Sequence, residues 1–380
     1  IMEHSTAIQR NTGLATFFVS GICVISGGVV VSLLQEKYGF AYGMTGTLLS
    51  MMSIGNLIAG FLAGILPGKI GMKRTMVILT SGYALGYGVM ILSGRLWALL
   101  AAFFIVGIAK GSTLNCCTIL VGDNSKDRTK GMNIMHGCYA FGALLCPFVI
   151  AGALKGGDWL VMAVLALCGL SVWAAFLAVP VKEAGKKGIE GTDWGFLRSR
   201  KFWLLTGLLF CQNAAETSVT GWLVTYFKGS GLLSGALSAY TVTVMWSATL
   251  IARMLIAFVI PLKNAYKAMM AMGIFCIVFY IGLMMADNQM TAIVLLFAFA
   301  FAMAGMNPTA VASAGKMTSV ASMGIMLPAA SSGAILMPWI IGVVAERFGI
   351  WAGMASNIIP CGGMFLFSAA VWHLSEKEQA

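Results

Sequence analysis

Twelve stretches of roughly 20 apolar residues, each long enough to cross a bilayer, divide this 380-residue chain from end to end. Their approximate cores are 13–34, 44–66, 75–92, 96–121, 131–154, 159–179, 202–227, 233–260, 267–286, 290–315, 322–345 and 351–373. A backbone inside hydrocarbon must satisfy its own N–H and C=O groups, which leaves helices and closed barrels as the options. Runs of this length without apolar/polar alternation select helices. The chain is 59% hydrophobic and 10% charged, against about 25% charged in soluble domains. The expectation is an all-α membrane protein.

The spans repeat. Gly142-Ala-Leu-Leu-Cys-Pro147-Phe-Val-Ile150 recurs as Gly333-Ala-Ile-Leu-Met-Pro338-Trp-Ile-Ile341, and Leu57-Ile58-Ala59 recurs as Leu250-Ile251-Ala252 at nearly the same separation. Two pseudo-symmetric six-helix halves follow, 1–179 and 202–380, joined by a charged linker at 180–201 that contains Gly185, Gly188 and Gly191. Such halves are the usual plan of a secondary transporter, whose solute site lies at the repeat interface. Small residues at close spacing, Gly55, Gly60 and Gly64 in span two and Gly107 and Gly111 in span four, let helices approach where no hydrophobic drive exists between them.

Lys and Arg concentrate in the two tails and the even-numbered loops, including Lys69, Lys73, Arg74, Lys126, Arg128, Lys182, Lys186 and Lys263; the odd-numbered loops carry only Lys37, Arg95, Lys155, Lys228 and Arg347. The bias predicts both termini in the cytoplasm of an inner-membrane protein. The formal charge of +11 then faces anionic lipid headgroups rather than nucleic acid. Residues 1–11 are polar and no small-residue cleavage site follows them, so no cleavable leader is expected. All nine cysteines fall within the spans without metal-ligand spacing and read as small packing residues. Catalytic motifs such as His-Glu-Xaa-Xaa-His, a nucleophile elbow or a phosphate-cradling loop are absent. No enzyme activity, metal or cofactor is expected.

The segment Gly64-Ile-Leu-Pro67-Gly68-Lys69-Ile-Gly71-Met72-Lys73-Arg74 resembles the signature between the second and third helices of the major facilitator superfamily, with Gly68 where that family has an aspartate. The resemblance covers the whole chain and implies that fold, with Lys69, Lys73 and Arg74 in gating or structural roles. Three further stretches resemble the fucose-permease-like branch of sugar:proton symporters: Asn133-Ile-Met-His136-Gly-Cys-Tyr139 through Pro147, Glu216 through Tyr226, and Trp246 through Arg253. That branch carries coupling acids in its first and fourth helices, where this chain has none.

A charge at mid-bilayer costs about 2.5–3.5 kcal/mol even on the lenient insertion scale, so an ionisable residue there is a functional hypothesis by default. Lys110, Glu216 and Arg253 qualify. Glu216 is the only carboxylate near the middle of a span and shares a helix face with Asn213 and Thr220; it reads as a proton- or hydroxyl-binding group, against a counter-ion to a cation. Lys110 has three readings: an ion pair with Glu216, an attractor for an anionic solute, or an ammonium held by backbone carbonyls. Arg253 reads as structural or gating, and so does His136.

Sugars are held by amides and carboxylates around their hydroxyls and by an aromatic face on the ring. Asn115, Gln212, Asn213 and Asn307 can supply the first, and Tyr139, Trp222, Tyr226 and Trp246 the second; packing is the alternative for each. Pro147, Pro308, Pro328, Pro338 and Pro360 are expected to interrupt their spans. The expected function is secondary transport of a sugar, polyol or sugar derivative by alternating access, coupled to protons, in a monomer. An organic or sugar-acid anion drawn by Lys110, and a sensor that binds without transporting, are the alternatives.

Overall fold

A computed structural model describes residues 2–126, 128–181, 195–260, 262–315 and 320–379. These form two compact units. One holds the chain up to Phe40 and from Thr47 through the sixth span; the other holds residues 41–46 and everything described from Gly195 onward. Most of the expected linker, 182–194, lies outside the described residues, and Lys186 with it.

The first unit is built from α1 (Met2–Tyr38), α2 (Tyr42–Ile70) from Thr47 onward, α3 (Met72–Thr80), α4 (Gly82–Leu92), α5 (Leu96–Gly122), α6 (Arg128–Leu154) and α7 (Asp158–Ala178). α3 and α4 are one span bent at Ser81. The second unit contains α8 (Arg200–Ser230), α9 (Gly235–Phe258), α10 (Ala265–Met284), α11 (Gln289–Met303), α12 (Met306–Gly315), α13 (Val320–Ser331), α14 (Gly333–Phe348), α15 (Ile350–Ala355) and α16 (Ile358–Gln379). Here α11–α12, α13–α14 and α15–α16 are single spans broken in two.

Eleven described helices or helix pairs are long and apolar enough to cross a membrane. α8 makes the twelfth: its 31 residues reach about 46 Å, while Gln212, Asn213 and Glu216 lower its apolar content. The protein is thus an all-α, multi-pass membrane protein with the spans where the apolar runs predict them.

Both units bury their first helix. α1 packs on α5, α6 and α7, and α8 packs on α9, α13, α14 and α16. The repeated glycine sits in this contact both times. A Cβ on Gly142 of α6 would lie 2.0 Å from the Phe18 carbonyl oxygen of α1, and one on Gly333 of α14 would lie 2.2 Å from the Phe210 carbonyl oxygen of α8. The contact in the first unit is reciprocal, since a Cβ on Gly21 would meet the Tyr139 carbonyl oxygen at 2.2 Å. Glycine is needed here because backbone touches backbone. Gly55 and Gly107 join α2 to α5 in the same way, whereas Gly60 faces open space.

Hydroxyl pairs reinforce the first unit: Ser20 with Tyr83 at 2.6 Å and Ser26 with Tyr87 at 2.8 Å, all four buried, fix α1 against α4. At the far end of α7, the Lys73 ammonium donates to the Phe176 carbonyl at 2.8 Å and also to that of Val179, and the Gln9 amide donates to the Pro180 carbonyl at 2.5 Å. A cation on the last carbonyls of a helix satisfies groups that have no intrahelical donor and opposes the negative end of its dipole.

Candidate functional site

Two of the broken spans follow from proline. Pro308 and Pro360 are each the third residue of a helix, α12 and α16, where a missing N–H is tolerated. Each ring would clash with the carbonyl four residues earlier, Ala304 and Ser356, and the preceding helix stops there. The Ala304 carbonyl, deprived of its donor, is met by Nε of Arg253 on α9 at 3.4 Å. Arg253 therefore re-satisfies the backbone at the bend, the structural role open to it from the sequence. Pro147, Pro328 and Pro338 lie inside continuous helices; the break between α13 and α14 falls at Ser332, six residues before Pro338.

The bend in the tenth span places Asn307 one residue into α12, where its Nδ2 donates to Oε1 of Gln212 at 2.8 Å. Nε2 of Gln212 in turn donates to Oε2 of Glu216 one turn along α8. Gln212 is 1% exposed, while Glu216, Asn213 and Asn307 are half-buried. An ionised carboxylate only accepts, so it fixes which way the Gln212 amide points and leaves the Gln212 oxygen to Asn307. Three sequence-predicted residues from two spans thus form one directional chain. Thr220, also on α8, donates to the Met245 sulfur at 3.6 Å.

The aromatic candidates of this unit are packed away. Trp222, Tyr226 and Trp246 are 0%, 1% and 5% exposed, and the Trp222 indole N–H donates to the Pro338 carbonyl at 3.0 Å. Sequence cannot separate an aromatic lining a cavity from one wedged between helices, because both sit mid-span. Trp222 also joins α8 and α14 to the start of α2: its ring lies 6.1 Å from Tyr42, the Gly43 N–H donates to the Glu346 carboxylate at 3.0 Å, and a Cβ on Gly46 would lie 2.7 Å from the Pro338 carbonyl.

In the first unit, Lys110 and Asn115 are half-buried on α5. On α6, the rings of His136 and Tyr139 bracket Phe17 of α1 at 5.7 Å and 5.0 Å. Pro147 is buried, and Lys69 and Arg74 are exposed. Lys110 belongs to the first unit and Glu216 to the second. Among the described residues no group of three or more His, Cys, Asp or Glu side chains could hold a metal ion. Gln9, Glu346 and the Ser–Tyr pairs escaped the sequence reading; only the four-residue spacing of Tyr83 and Tyr87, which puts them on one helix face, signalled any of them.

Known proteins place this architecture. The chain is 17% identical to a nucleoside transporter, NupG, whose crystal structure it matches at a TM-score of 0.72 over 97% of this chain and 98% of that one. It is 12% identical to a bacterial homolog of the human lysosomal transporter Spinster, in an inward-facing and unoccupied conformation, with a TM-score of 0.80 over 97% and 98%. In sequence it is 24% identical to the Protein TsgA homolog of Yersinia enterocolitica serotype O:8 / biotype 1B (strain NCTC 13174 / 8081) over 55% of this chain; that match spans about half, 53%, of the relative. The family model described as Major Facilitator Superfamily matches residues 12–321. By that match, the chain belongs to the Major Facilitator Superfamily.

Proposed function

We propose that this protein is a secondary transporter that moves a sugar, polyol or sugar derivative by alternating access, coupled to protons through Glu216. It acts as a monomer in the cell's inner membrane with both termini in the cytoplasm. The observation that carries the reading is the Asn307–Gln212–Glu216 chain. It offers amide donors and acceptors and one carboxylate at the middle of a span, the groups that hold solute hydroxyls. The likeness of three stretches to the fucose-permease-like branch supports a sugar, and the nucleoside transporter of similar fold, by its name, takes a sugar derivative.

The chain also couples protonation to shape. With Glu216 ionised, Gln212 must present its NH2 to the carboxylate and its oxygen to Asn307. A protonated Glu216 gains an O–H donor, so Gln212 can turn, offer its oxygen to Glu216 and present its NH2 to the Asn307 oxygen. Asn307 sits next to the bend at Ala304–Gly305, so the proton is read at the point where the tenth span is broken. Asn213, Asn115, Tyr139, Trp222, Tyr226 and Trp246 complete the proposed solute set, the buried aromatics by shaping the helices behind the polar groups.

In proteoliposomes, Glu216→Gln should abolish accumulation driven by a pH gradient and retain counterflow, because the amide keeps hydrogen bonding and cannot release a proton. Full gradient-driven accumulation by that variant sinks the coupling role. Saturable binding without counterflow in the wild type makes the protein a sensor. A half-buried ammonium inside a span, Lys110, favours a second reading, an organic or sugar-acid anion; selective loss of acidic-sugar binding in Lys110→Ala selects it.

A further inference from the structure

The second unit carries a lipid-shaped site far along its helices from Glu216. A recess of about 590 Å³ opens where α9 ends, α10 begins and α16 finishes, with Lys263, Tyr266, Ser313, Trp372 and Glu376 among its walls. Beside it, a groove of about 540 Å³ runs between α9, α10 and α11 and is lined by apolar side chains alone, Phe275, Phe279, Phe297 and Phe301 among them. Ile256 and Leu262 line both, so one molecule can occupy the two. Recess and groove together run along α10 from Ala265 to Phe279, about 20 Å at helical rise, which is half of the roughly 40–45 Å of a bilayer with its headgroups. Their length is that of one leaflet.

An apolar groove inside a bilayer is filled by acyl chain whatever the lipid, because tails are as apolar as the side chains and there is no hydrophobic drive. Selection must come from the recess. Three groups there lack partners among the described residues. The Trp372 indole N–H is buried with no acceptor, and a buried donor left unmade is costly. Lys263 and Glu376 are exposed at the rim and neither is ion-paired. One donor, one cation and one anion match a zwitterion: a phosphate for Lys263 and the Trp372 N–H, and an ammonium for Glu376. We infer that this site holds one phosphatidylethanolamine molecule, its headgroup in the recess and one acyl chain along the phenylalanine groove. An anionic glycerol headgroup leaves Glu376 without its ammonium, and a choline headgroup cannot donate the hydrogen bonds that Glu376 accepts.

The test uses the full-length protein, purified and delipidated in detergent, titrated with phosphatidylethanolamine, phosphatidylglycerol or phosphatidylcholine, with bound lipid counted by native mass spectrometry and the thermal midpoint followed in parallel. One phosphatidylethanolamine should be retained and raise the midpoint, with apparent affinity about five- to tenfold above the other two lipids, less than a buried charge-assisted hydrogen bond gives because Glu376 is exposed. Glu376→Gln, at an exposed position, should erase that preference, and Trp372→Phe should weaken all three lipids alike. Ala298→Phe, which fills the groove, should lower occupancy while leaving the order of preference intact. Equal binding of the three lipids by the wild type overturns the inference, as does a preference unchanged in Glu376→Gln. Binding of water-soluble glycerophosphoethanolamine as tight as that of the lipid also overturns it, since the groove would then contribute nothing.

Discussion

Gly142→Ala should destabilise the first unit and Gly333→Ala the second. The Cβ added at Gly142 would sit 2.0 Å from the Phe18 oxygen and 3.0 Å from its carbonyl carbon. Backbone cannot swing aside as a side chain can, so α6 must retreat from α1 by about 1 Å or more, an overpacking worth about 1–3 kcal/mol. Alanine returns about 0.5–1 kcal/mol in helix propensity, leaving a net loss of up to about 2.5 kcal/mol, centred near about 1 kcal/mol. For a unit of this size the central value is a fall of about 2–4 °C in the midpoint, measurable by fluorescence melting of purified protein in detergent. Gly152→Ala in the same helix and Gly362→Ala in the other unit have open space around the new methyl and should be neutral or slightly stabilising. Adding Gly21→Ala to Gly142→Ala should cost less than either substitution alone, because the first has already opened the gap that the second needs. If Gly142→Ala melts at or above Gly152→Ala, the close backbone contact is not what the repeated glycine serves.

Trp222→Phe removes the donor to the Pro338 carbonyl and part of a fully buried ring, and should cost at least about 1–3 kcal/mol, seen as a lowered midpoint; Trp339→Phe, at a side chain 47% exposed, is its control and should change little. Arg253→Met strips the Ala304 carbonyl of its donor and should speed hydrogen exchange in α12; an unchanged exchange rate would remove Arg253 from the bend. Cysteine placed at Lys155 should react with an impermeant reagent added to intact cells, while cysteine at Lys186 should not. The reverse pattern would invert the orientation.

What sequence could reach was whatever a single helix decides for itself. Span positions follow from apolar length, and α6 (Arg128–Leu154) covers the run expected at 131–154. The bends before Pro308 and Pro360 follow from one missing N–H each. The bend at Ser81 has no proline, and its local mark is the Ser81-Gly82 pair, a weaker signal than a missing N–H. Pairings between helices were out of reach, because no single helix decides them. Gln212 and Asn307 both stood out as amides at membrane depth, yet they are 95 residues apart, and only the bend at Ala304 brings one to the other. The repeat helped where it applied: the shared glycine marks a shared contact, although its partners, the Phe18 and Phe210 carbonyls, carry no side-chain signature.

The polarity of α8 bears on how the protein enters the membrane. Between Phe202 and Phe227 this helix has ten Leu, Phe and Val residues, each favouring insertion by about 0.3–0.6 kcal/mol, while a central acid opposes it by about 2.5–3.5 kcal/mol. Gln212 and Asn213 oppose it further, which brings the balance close to zero. The eleven other described spans are long and apolar enough to cross a membrane by their own composition. This one is expected to depend on α9, α14 and α16, which pack on it, to cover its polar stripe. The helix that carries the proposed coupling carboxylate is therefore the step at which synthesis of the second unit is most easily lost, and substitutions that make the stripe more polar should lower the yield of inserted protein before they touch transport.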